Sequence, residues 1–146
     1  MSETPQSRWK TAWSYLLSIK HLASESPDVH SHHSPAIYLL GGFVLELGFK
    51  AFLSGRGATF KFDHDLNALY SDYLRQGGED DPGLAGMIDM MAVPHKRHFW
   101  RYMPNEEQLL VPTPAALAKH LEPFLISIAN QVSGGPEYSE AWLAAG

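Results

Sequence analysis

A chain of 146 residues is the size of one domain, and with 45% apolar and 18% charged residues its composition is globular rather than disordered. It contains no cysteine, which excludes disulfides, thiolate metal sites and a cysteine nucleophile. A formal net charge of −5 argues against a surface coated in positive charge for duplex DNA.

The N-terminal segment MSETPQSRWK is polar and lacks the apolar centre of a signal peptide. The longest apolar stretch is broken by Glu46 and Lys50, so no uninterrupted membrane span is expected. With the missing cysteines, these features fit a cytoplasmic protein that does not associate with membranes.

Helix starts are marked by a repeated pair, a capping residue followed by proline: Thr4-Pro5, Ser34-Pro35, Asp81-Pro82 and Thr113-Pro114. The cap side chain accepts from an orphan N–H of the first turn, and proline at the next position needs no N–H partner. The first helix is expected from Pro5 to Ala23, with Trp9, Ala12, Trp13, Leu16, Leu17, Ile19 and Lys20 along one stripe. The stretch 24–34 reads as a polar loop.

A second helix from Pro35 to Leu53 carries Ile37, Leu40, Val44, Leu47 and Ala51 on one face and Leu39, Phe43 and Phe49 on others. It should be the central, most buried helix. Gly41, Gly42 and Gly48 read as close backbone approach of a neighbouring helix, and Gly55 as the stop.

Asp63 reads as the cap of a third helix reaching Arg75, with Leu66, Leu69, Tyr70, Tyr73 and Leu74 inward and Gly77-Gly78 ending it. A fourth helix starts at Pro82, carries Leu84, Ile88 and Met91, and is expected to be interrupted at Pro94. The last long helix runs from Pro114 to Val132, with Leu117, Leu121, Phe124, Leu125 and Ile128 inward and Pro123 as a kink. Residues 134–146 read as a tail in which Trp142 docks. No segment alternates as a strand does, and there is no internal repeat. The expectation is an all-α, up-and-down helical bundle of about five helices over residues 1–133, followed by the 134–146 tail.

Three groups of residues bear on chemistry. Glu46 and Lys50 are four apart on one helix face, in the favourable order for an ion pair. In an otherwise apolar helix, that pair belongs at a rim or in a polar groove. His30, His32 and His33 cluster before the second helix, and His64 lies between Asp63 and Asp65. Zinc sites use such residues, but the chain has no HExxH or paired helical histidines, so no metal site is assigned. The segment from His95 to Tyr102 is the only dense basic stretch, its cations interleaved with Phe99, Trp100 and Tyr102. Cations for phosphates and rings for stacking are what single-stranded RNA or nucleotide binding needs. The alternative is that the rings face the core and the cations are merely solvated. No phosphate loop, dinucleotide fingerprint or serine-nucleophile motif is present.

Taken in order, Glu46-Leu-Gly-Phe-Lys50-Ala-Phe-Leu, a glycine-containing loop and Asp63-His64-Asp65-Leu66-Asn67-Ala68-Leu69 resemble the HEPN superfamily. Its pattern is a Glu-xxx-Lys helix followed by a His-Asp-Leu-xx-Leu helix start. Arg101-Tyr102-Met103-Pro104 is similar to the Arg-Tyr-x-Pro element of that superfamily. The resemblance covers about Pro35 to Pro104. It implies a small helical bundle that often dimerises, and either RNA cleavage or nucleotide and partner binding without catalysis.

Ribonuclease members carry Arg, four to six residues, then His. This chain departs from that pattern, since seven residues separate Arg56 from His64 and no His closely follows Arg101. The resemblance therefore points to a non-catalytic binding module, a homodimer without a cofactor. Glu46, Lys50, His64, Arg101 and Tyr102 would line its groove, and a nucleotide, RNA or a protein would be its partner. Phe43, Phe49 and Trp100 are expected to supply the dimer face. The alternatives are a metal-independent ribonuclease using His64 and Arg101, and a purely structural or regulatory bundle.

Overall fold

The computed structural model describes residues 3–25, 32–60, 64–96 and 111–144, and among them it is all helix with no strand. Within those residues six helices follow one another: α1 (Pro5–Glu25), α2 (Ser34–Gly55), α3 (Leu66–Arg75), α4 (Pro82–Lys96), α5 (Pro114–Ser133) and α6 (Pro136–Ala144). The sixth lies in the expected tail, where it forms about two helical turns.

α2 is the centre of the molecule. α1 and α5 pack on it and on each other, α3 lies against it, and α4 reaches α2, α3 and α5. By length and mean hydropathy (1.7) α2 could cross a membrane, yet 72% of that window is buried inside the protein. Its glycines make room for side chains rather than for a neighbouring backbone. A Cβ would fall 2.8 Å from Leu117 Cδ2 at Gly41, 2.2 Å from His95 Nδ1 at Gly42 and 2.5 Å from Phe124 Cε2 at Gly48.

Three of the four cap–proline pairs cap as their chemistry requires. Thr4 Oγ1 accepts from the Ser7 N–H at 3.0 Å, Asp81 Oδ1 from the Gly83 N–H at 2.8 Å, and Thr113 Oγ1 from the Ala116 N–H at 3.2 Å. Ser34 instead lies inside α2, whose cap position is His33. For α3 the cap is Asp65 rather than Asp63: Asp65 Oδ1 accepts from the Ala68 N–H at 3.1 Å. α2 also continues through Gly55. Its stop is Gly57, at φ 69, where the Ala58 N–H reaches back to the Leu53 carbonyl at 2.9 Å.

α1 buries Trp9, Ala12, Leu16, Ile19 and Ala23, while Leu17 stays half exposed and Lys20 pairs with Glu122 on α5 at 2.9 Å. Leu74, expected inward on α3, is also exposed. The five inward residues expected on α5 are all buried. α4 does not stop at Pro94 but runs to Lys96. Pro94 forfeits its own N–H bond to the preceding turn, while the next residue, His95, is anchored into the core.

Candidate functional site

The site forms around one carboxylate. Glu46, at 4% exposure, projects from α2 into the angle between the start of α3 and the last turn of α4. Its Oε1 lies 2.7 Å from His64 Nδ1 and 3.0 Å from His95 Nε2. Lys50, one turn further along α2 and also buried, donates from Nζ to Oε2 at 3.3 Å. Thus both oxygens are engaged by groups from three separate segments.

Each partner is held in turn. His64 precedes the cap of α3, where Asp65 accepts from the Ala68 N–H and pairs with Lys96 of α4 at 3.3 Å. The Ala68 N–H, with Lys96, holds the Asp65 carboxyl below its ordinary value despite partial burial. His95 fits over Gly42, where any side chain would collide with its ring. Phe43 stands edge-on to both imidazoles, with ring centroids 5.8 Å from His64 and 4.9 Å from His95. Phe60 lies beside Lys50. The Lys50 ammonium lies 5.7 Å and the Arg8 guanidinium of α1 5.0 Å from its ring centroid.

Burial pushes the Glu46 carboxyl up, but the hydrogen bonds from His95 and His64 and the charge of Lys50 outweigh it and hold the pKa at about 2. At neutral pH Glu46 is therefore an acceptor only, and His64 Nδ1 and His95 Nε2 must both carry the proton toward it. Glu46 Oε1, His64 Nδ1 and His95 Nε2 also constitute a set of three possible metal ligands, all within 4.8 Å of one another.

Of the residues singled out in the sequence, Glu46, Lys50 and His64 meet here. Arg101 and Tyr102 lie outside the described residues, as do Phe99 and Trp100, so their relation to His64 has no structural description. His32 and His33 are exposed at the start of α2 and take no part in the cluster. Phe49 is fully buried against Tyr73 and Phe124, and Phe43 packs on the imidazoles. Phe49 is therefore core rather than part of the expected dimer face, while Phe43 is half-buried and Trp100 lies outside the described residues.

His95 is the functional residue that the sequence pattern conceals, because it reads as the opening of a basic stretch. The available signal is Gly42, four residues before Glu46 on the same face of a core helix. A glycine beside a buried acid marks the space of a partner side chain.

Searches with this chain among protein-family models, curated proteins and solved structures found no match. The geometry therefore carries the functional argument. An ionised carboxylate that holds two imidazole rings can orient a hydrogen-bonding histidine at the surface, couple three helices, or share its partners with an ion.

Proposed function

We propose that this chain is a HEPN-like, up-and-down helical module that acts by binding rather than by catalysis, with His64 as its contact to a nucleotide, RNA or protein partner. One observation carries the reading: of the four polar groups in the cluster only His64, whose side chain is 35% exposed, reaches the surface. Glu46, Lys50 and His95 are buried and mutually satisfied. Their role is to hold α2, the start of α3 and the end of α4 in one arrangement and to fix the ring of His64.

Cleavage of an RNA phosphodiester needs a proton-transfer group and a cation that both face the substrate. The cation within this cluster, Lys50, is enclosed and already paired with Glu46. The absent Arg-to-His spacing agrees with that. Arg101 and Tyr102 remain candidate ligand contacts by the family pattern.

The test is a chemical-shift titration with a nucleoside triphosphate and a short single-stranded RNA, alongside an RNA-cleavage assay with chelator present. Saturable shifts centred on His64 that vanish in His64→Ala, with no cleavage, are expected. Cleavage by the wild type that disappears in His64→Ala and Arg101→Ala would replace this reading with the ribonuclease one.

A further inference from the structure

We propose that Glu46, His64 and His95 form a binding site for one divalent transition-metal ion of the zinc class. The inference goes beyond the binding role proposed above and does not depend on it. The donors come from three places in the chain, namely the middle of α2, the residue before the α3 cap and the last turn of α4. Two imidazole nitrogens and one carboxylate oxygen suit zinc, cobalt or nickel, whereas magnesium and calcium take oxygen ligands.

The distances fit. Ligands at about 2.0–2.2 Å around a tetrahedral ion are about 3.3 Å apart. Oε1 stands 2.7 Å from His64 Nδ1 and 3.0 Å from His95 Nε2. Binding therefore opens these two contacts by about half an ångström, and each imidazole proton moves to the other nitrogen of its ring.

The surroundings already orient the ligands. Lys50 holds Oε2 at 3.3 Å, which turns Oε1 alone toward the imidazoles and makes Glu46 a one-oxygen ligand. Phe43 stands at 88° to the His64 ring and 84° to the His95 ring, limiting how either can swing. Gly42 leaves room for His95, and the half-exposed side of His64 provides the way in. On that side the fourth position of the ion takes water or an anionic ligand oxygen. The Lys50 charge opposes the ion, and only three protein ligands hold it. The expected dissociation constant is therefore on the order of micromolar, weaker than a closed four-ligand site.

The experiment uses chain carrying no polyhistidine tag, stripped with chelator and dialysed, titrated with zinc chloride by calorimetry and with cobalt chloride by visible absorption. One zinc per chain and the strong absorption bands of tetrahedral cobalt are expected. His64→Gln and His95→Gln should each weaken zinc binding at least tenfold and abolish the zinc-dependent rise in thermal midpoint. The double variant His32→Gln, His33→Gln should bind as the wild type does.

Circular dichroism checks that each variant folds. Should His95→Gln fail to fold, the partly exposed His64→Gln and the cobalt spectrum decide. Absence of saturable binding, binding indifferent to His64→Gln, or binding that follows His32 and His33 would overturn the proposal.

Discussion

Glu46 is the residue on which the others depend, and its ionisation ties structure to pH. Its carboxyl has an ordinary value of 4.5 and is held at about 2 in the fold by His95, His64 and Lys50 against the cost of burial. A carboxyl depressed on folding stabilises the protein above its unfolded value, and that contribution disappears as pH falls from about 4.5 to about 2. The difference of about 2.5 units corresponds to stability on the order of 3 kcal/mol. Denaturant unfolding of wild type and Glu46→Gln, with chelator present, measures it. The variant should be less stable by about 2–4 kcal/mol at pH 7, because a buried network has lost its charge, and the gap should narrow toward pH 2. A gap independent of pH would contradict this account of Glu46. Glu46 and Lys50 are legible in the sequence because two charges four apart in an apolar helix need an explanation, and His64 is singled out by its place between two aspartates in the motif that the HEPN resemblance rests on. His95 is not, because it lies 49 residues from Glu46 and only the crossing of α4 over α2 unites them.

Among the elements, three starts with local chemistry read true, the Ser34 cap and the Gly55 stop fall one or two residues from where the chain places them, and features set by tertiary contacts are not legible. Thr4, Asp81 and Thr113 act as caps because the bond they make spans two or three residues. The run of α4 past Pro94 depends on the His95 anchor, which no local rule contains. Exposed Leu17 and Leu74 show the same limit, since spacing identifies an apolar stripe but not how much of it a neighbour covers. Two glycines separate local from tertiary effects. Gly86 is exposed inside α4, and a Cβ added there would meet nothing within 4 Å, so Gly86→Ala should raise stability by about 0.5–1 kcal/mol through helix propensity alone. The same change at Gly42 puts a methyl against the His95 ring, and displacing that ring from Glu46 should outweigh the propensity gain. Gly42→Ala should therefore cost about 1–3 kcal/mol. Thermal unfolding of the two variants gives shifts of opposite sign if packing against His95 is the reason for Gly42, and shifts of the same sign if it is not.

At the scale of the whole molecule, the remaining question is whether α6 belongs to the folded unit. A division of the chain into residues 1–133 and a tail sets it outside, with only Trp142 docking. The structure packs α6 on α5 and α1. Trp142 meets Trp9 edge-on with centroids 5.6 Å apart, and Trp9 stacks on Trp13 at 5.2 Å. Trp9 also donates from Nε1 to the Leu125 carbonyl at 2.6 Å, so this aromatic group joins α1, α5 and α6. Ser139, the buried residue of α6, hydrogen-bonds Asn130 of α5. The core proper, however, is drawn from the other helices: Leu16, Ile37, Leu45, Phe52 and Leu125 are buried residues of α1, α2 and α5. Removal of residues 134–146 should thus leave a folded protein, weakened by the loss of one partly buried indole and its aromatic contact, about 2 kcal/mol. In a chain of this size that lowers the melting temperature by about 6 °C. Trp142→Ala alone should reproduce most of the loss, and in both variants the emission of Trp9 and Trp13 should shift to the red as they meet water. An unfolded truncation would make α6 part of the core. An unchanged melting temperature would show that the indole contact contributes nothing to stability.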